Sequence, residues 1–175
     1  MKKGYGTIGE VIEVDHKEEL GSDIYRMLET SGPPYGCGTA SIVGGFAARL
    51  AVMSLTISDI KHDLHDVPGS FFLMCDEDDR EFQSFLDEGG NHSPNDVPVR
   101  LLECTYRLLV ELSSYEDQIQ ENVVVDYRMG IRMLKQVFTA AENILLNNGC
   151  SADVRKEMLF YEGKLEGTLP KSLQS

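Results

Sequence analysis

Positive charge is scarce in this chain. Sixteen lysines and arginines stand against twenty-nine aspartates and glutamates, a formal charge of -13. A phosphate backbone would be repelled unless the few basic residues gathered on one face, so nucleic acid is not an expected partner. Cysteine is sparse and scattered: Cys37, Cys75, Cys104 and Cys150 form no C-x-x-C pair, and no secretory signal accompanies them. That pattern predicts a reduced, cytoplasmic setting in which each thiol is a small apolar filler, a free catalytic thiol being the less economical reading. Period-two alternation long enough for a sheet is missing after residue 15, and no internal repeat is present. With 175 residues the chain fits one domain burying about two thirds of its unfolded surface, which needs neither disulfide nor metal.

Glycine, by contrast, is clustered. The stretch "GYGTIGEV" near the N-terminus matches G-x-G-x-x-G-x-V, but only Met1, Lys2 and Lys3 precede it, and an extended run "EVIEV" follows. A dinucleotide loop needs a strand before and a helix after it, and a kinase needs H-R-D and D-F-G stations that are absent. Residues 1–15 are read as an N-terminal arm.

The second cluster is "SGPPYGCGTASIVGGFAARLAVMSLT", and residues 36–57 are long and apolar enough to raise a membrane span. Arg49 near its middle would cost about 2.5 to 3.5 kcal/mol there, so a buried helix in a bundle is preferred and no membrane is expected. Ser41, Gly44, Gly45, Ala48 and Ala51 recur at spacings of three and four, forming a groove for a neighbouring helix or a ligand. Two glycines inside a helix cost about 1 kcal/mol each against alanine, and close approach is the expected compensation.

From Lys17 onward the pattern is helical. Leu20, Ile24, Met27 and Leu28 mark a first helix ended by "SGPP", and the second runs from near Gly38 to about Lys61. Pro68 suits the start of a third, over 69–88, with Phe71, Cys75, Phe82 and Phe85 on one face. Leu101 to Ile119 mark a fourth helix, and 121–148 a fifth that "NNG" stops. Ser151 caps a shorter sixth. The expected fold is all-α, a single domain forming an antiparallel bundle of five to six helices, with the domain over 16–167 and a tail over 168–175.

In "CDEDDREF", residues 75–82, Asp78 falls about 40° from the centre of the apolar stripe, whereas Asp76 and Glu77 point away. A carboxyl group among phenylalanines is costly to ionise, and its pKa rises toward the range of a general acid. The plainer reading is an acidic patch straddling the helix edge, with Asp78 reaching water or an arginine. His62 and His65, spaced i,i+3 beside acids, suit a metal only if the second helix continues that far; a solvated polar face is the simpler reading, and no metal site is expected.

Together, "GPPYGCGTASIVGGFAARLAVMSLT" and "DEDDREF" resemble the cyclodeaminase domain of formiminotransferase-cyclodeaminase and the related methenyltetrahydrofolate cyclohydrolases. There a Pro-Gly-Gly-Gly-Ser turn opens a small-residue helix, and a later helix carries Asp-x-Asp-Ala-x-x-Phe. The corresponding residues here are Tyr35-Gly36-Cys37-Gly38-Thr39 and Asp76 to Phe82. The resemblance implies an all-helical homodimer, a tetrahydrofolate derivative as substrate, no further cofactor, and Asp78 as the acid or base. The reaction implied is cyclisation of 5-formiminotetrahydrofolate with loss of ammonia, or hydrolysis of the 5,10-methenyl form. Gly36, Gly38 and Thr39 correspond to the substrate turn, Lys61 to the remnant of a basic segment, and Asn122 and Asp126 of "ENVVVD" to an Asn-x-x-x-Ser-Asp station in which Val125 replaces the serine. The stretches between Thr56 and Asp76 and between Phe82 and Val97 are shorter than in that family and lack most of its basic residues. Two functions are therefore expected: a divergent folate enzyme, or a protein that kept the bundle and dimer seam and serves binding or assembly.

Overall fold

A computed structural model describes residues 36–90 and 94–169. The arm over 1–15, the expected helix around Leu20 to Leu28 and the tail from residue 170 lie outside the described residues. Within them are five α-helices and no strand: α1 (Gly36–Ile57), α2 (Val67–Asp87), α3 (Asp96–Ser113), α4 (Val124–Asn147) and α5 (Ala152–Thr168), with a 3-10 turn over Glu116–Gln118. The all-α bundle is thus as the periodicity predicts.

α1 is the central helix, packed on α4, α2 and α3. Its small residues permit this. A Cβ on Gly44 would lie 2.5 Å from the Phe71 ring of α2, and one on Gly45 would lie 2.7 Å from the Phe72 ring. On the other side Gly130 of α4 sits against the Ala47 carbonyl and Ala51 of α1. The groove expected for a helix or a ligand is filled by this chain's own α2 and α4. Gly36 faces Ile144 and the Ser54 hydroxyl reaches the Val123 carbonyl at 3.5 Å, so α1 and α4 run antiparallel. Leu101, Leu109, Leu112, Leu134 and Leu145 complete the core, each fully buried side chain contributing about 1.5 to 3 kcal/mol. The Tyr127 hydroxyl donates to the Leu112 carbonyl, and buried Glu116 pairs with Arg128 at 3.1 Å.

Helix ends follow local chemistry. Ser151 caps α5 by accepting from the Val154 N–H, Pro68 lies in the first turn of α2, and Gly149 leaves α4 at φ +76°. Several boundaries differ from expectation, among them the start of α4 at Val124 rather than 121, and two helix ends have a visible local cause. α1 ends at Ile57 rather than near Lys61, because Asp59 turns left-handed at φ 57° and the Ile60 N–H returns to the Leu55 carbonyl. α3 ends at Ser113 rather than Ile119, where the Ser113 and Ser114 hydroxyls take the Val110 and Glu111 carbonyls.

Glycine should therefore behave oppositely at two sites. Gly130→Ala, whose Cβ would lie 2.8 Å from a backbone oxygen, is expected to destabilise by about 1 to 3 kcal/mol. Gly163→Ala, inside α5 with nothing within 4 Å, should stabilise by about 0.5 to 1 kcal/mol. Urea midpoints of the two variants against the parent check this.

Candidate functional site

The first turn of α1 leaves N–H groups without intrahelical partners, and carboxylates are favoured there. Asp78 of α2 supplies one: the Gly38 N–H donates to its Oδ2 at 2.8 Å. The buried Cys37 thiol lies near the same carboxyl group and favours its charged form. Asp78 is 7% exposed, on the buried face of α2 with Phe71, Met74 and Cys75. Burial raises its pKa, the Gly38 bond opposes that, and Glu81 and Asp79 add to the rise. The inward position and upward shift expected of Asp78 are thus present. Its partner within the fold is a helix terminus rather than an arginine.

Phe82 and Phe85, expected to flank it inward, are half-buried, their rings 6.0 Å apart. The rest of the acidic run is also engaged. Glu81 accepts from the Asp96 and Val97 N–H groups at 2.8 and 3.0 Å, capping α3, and Glu77 pairs with Arg100 of α3.

Cys37 is expected only as filler and is buried as such. Burial, then the Asp78 charge, pushes its thiol far above the ordinary range. It stays protonated at neutral pH and is no nucleophile. The nearby Ser41 hydroxyl pulls weakly the other way, but it lies outside hydrogen-bonding geometry and is fully buried without a partner. Nothing in the local sequence announces the Gly38–Asp78 contact, which joins residues forty apart. Glu81 had a signal, since it follows Asp78 by one helical step.

The other residues singled out do not join this corner. Gly36 and Thr39 are exposed beside it. Lys61 is exposed in the connection after α1, Asn122 is exposed, and Asp126 is half-buried in the first turn of α4. Asn122 and Asp126 flank Val123, whose carbonyl meets Ser54. Sixteen residues of helix, roughly 24 Å, separate Ser54 from Gly38. One chain therefore places the candidate residues at two opposite ends of α1.

His62 lies beyond the helix: its Nδ1 accepts from the Leu64 N–H at 3.2 Å, and its Nε2 lies 3.4 Å from the Thr56 hydroxyl. Among the described residues no three His, Cys, Asp or Glu side chains converge as metal ligands. By length and composition α1 also passes for a membrane span, although more than half of that window is buried in the bundle.

No known family's sequence profile matches this chain, and no curated protein is similar to it.

Because the Asp78 pKa is raised, its contribution to stability is complete below the unfolded value near 3.8 and is lost as pH rises through the folded value. Asp78→Asn keeps an acceptor for Gly38 without the charge. It should match the parent at pH 3 and be the more stable at pH 7. Asp78→Ala leaves the Gly38 N–H unpaired and should fall about 1 to 3 kcal/mol below the Asn variant at pH 7. Denaturant titrations at both pH values measure this.

Proposed function

We propose that this chain is a non-catalytic helical protein of cyclodeaminase type, which works by binding and self-association. The observation that carries this reading is the Gly38–Asp78 hydrogen bond of 2.8 Å. The N–H expected to hold substrate is taken by the carboxyl group expected to act on it. The remaining candidate groups, Lys61, Asn122 and Asp126, lie at the far end of α1, and the basic residues that would meet an anionic folate are few.

Association has its own support. At that far end α1 exposes Met53 and Ile57, and α4 exposes Val125 and Met129, apolar side chains that gain from burial in a homodimer. The four free thiols suit a reducing cytoplasm.

The second reading is a folate enzyme, cyclodeaminase or cyclohydrolase, with Asp78 as the acid or base and a tetrahydrofolate derivative beside Gly36 and Thr39. What favours it is the upward shift of a buried carboxyl group next to an exposed glycine turn.

One experiment separates the two. Purified protein and its Asp78→Asn variant are mixed with 5,10-methenyltetrahydrofolate and the absorbance is followed. The expected result is decay no faster than buffer in both samples. Faster decay in the parent, lost in the variant, establishes the enzyme reading instead. Association is checked by sedimentation velocity: a dimer is expected for the parent, with Met129→Glu shifted toward monomer, and a parent that sediments only as monomer removes that part of the proposal.

A further inference from the structure

α5 packs chiefly on α3, where Tyr106 and Tyr161 stack with ring centroids 4.3 Å apart. Between α5 and the neighbouring length of α4 a cavity of about 450 Å³ remains. Its apolar surface comes from Phe138, Leu165 and Leu169, all buried. Lys135, Thr139 and Glu142 line it from α4, and Glu162 and Glu166 from α5. Three carboxyl groups thus face one ammonium group.

Water fills an apolar surface poorly, and an anion would meet the wrong charge. A single metal ion also fits badly: the acids are distributed over two helices, and among the described residues no three potential ligands converge. A ligand that suits the lining has an apolar stem and separated positive charges. We propose that this cavity binds a linear aliphatic di- or polyamine, its methylenes on Phe138, Leu165 and Leu169 and its ammonium groups against Glu142 and Glu162. The net charge of -13 draws such a cation from a distance.

The free cavity holds the cost that this ligand would offset. Burial, with the neighbouring Glu162 charge second, pushes the Glu142 carboxyl group up to about 7. Folded Glu142 therefore loses stability as pH rises through about 7, where it must carry its charge facing Glu162 and Glu166 with Lys135 as the cation of the lining. A bound ammonium favours the charged carboxylate, so binding near pH 7 releases a proton and tightens with pH.

Isothermal titration with 1,5-diaminopentane and with spermidine, at low salt and at pH 6 and 8, tests this on the full chain. One saturable site is expected, about tenfold tighter at pH 8, as the charged fraction of a group titrating near 7 requires. Glu142→Gln mimics the protonated side chain; it should weaken binding and remove most of the pH dependence. Glu162→Gln changes an exposed residue and should weaken binding at both pH values. Asp153→Asn, exposed at the start of α5 and outside the cavity, should change nothing. Non-saturable heats, equal weakening by all three variants, or tight binding indifferent to Glu142→Gln and Glu162→Gln would each overturn the proposal. The same holds if magnesium or glutarate competes as well as the amine.

Discussion

The bundle depends on how closely other elements approach α1. Gly44 and Gly45 leave room for the rings of Phe71 and Phe72, and Gly130 of α4 sits against the backbone of Ala47 and Ala51. Such contacts fix axial register more tightly than long side chains do, because backbone and ring cannot flex away. That register decides what happens two turns further on. From Phe71 to Asp78 is seven residues, about 10 Å along α2. From Gly44 back to Gly38 is six residues, about 9 Å along α1. In an antiparallel pair the two steps nearly match, so the ring-on-glycine contact delivers the Asp78 carboxyl group to the first turn of α1.

The same turn of α2 serves a second helix. α2 is antiparallel to α1 and to α3, so both neighbours present their N-termini at one end of the bundle. Asp78 meets the first through Gly38, Glu81 meets the second through Asp96 and Val97, and Glu77 adds the ion pair to Arg100. A carboxylate at a helix N-terminus contributes about 0.3 to 1 kcal/mol, and up to about 2 where partly buried. In a chain that already carries excess negative charge, an acidic turn would otherwise add repulsion to the folded state. Placing those acids on helix ends supplies them with partners that the scarce lysines and arginines do not.

Much of this was legible in the sequence because it is local. The helical period, Pro68 at a helix start, the stop at "NNG" and the Ser151 cap each depend on residues within a few positions of one another. The glycine pair announced a close approach, though its choice between a ligand and a helix was decided only by the phenylalanines of α2. The inward placement of Asp78 followed from the wheel, whereas its partner did not: a backbone N–H forty residues away has no signature in composition or spacing. That Lys61 ends up far from Gly36 to Thr39 follows from the length of the second helix alone, whereas the split of Asn122 and Asp126 from that turn depends on the antiparallel course of α1 and α4. Helix ends misplaced by a few residues, at Asp59 and at Ser113, reflect a backbone twist and hydroxyl competition that periodicity does not register.

Asp78 cannot be both a settled cap and a freely cycling acid at no cost. In its charged form it gains the Gly38 bond but loses hydration; in its neutral form it recovers the desolvation loss but weakens a charge-assisted bond. These effects oppose one another, which is why the pKa rises without the group being left unpaired. A ligand seeking the Gly38 N–H must first displace a carboxylate that the Phe71 and Phe72 register holds in place. A ligand approaching Gly36, which faces solvent, leaves that carboxylate in place. Binding at this corner is therefore compatible with the cap, whereas a change in the protonation of Asp78 alters the strength of the Gly38 bond.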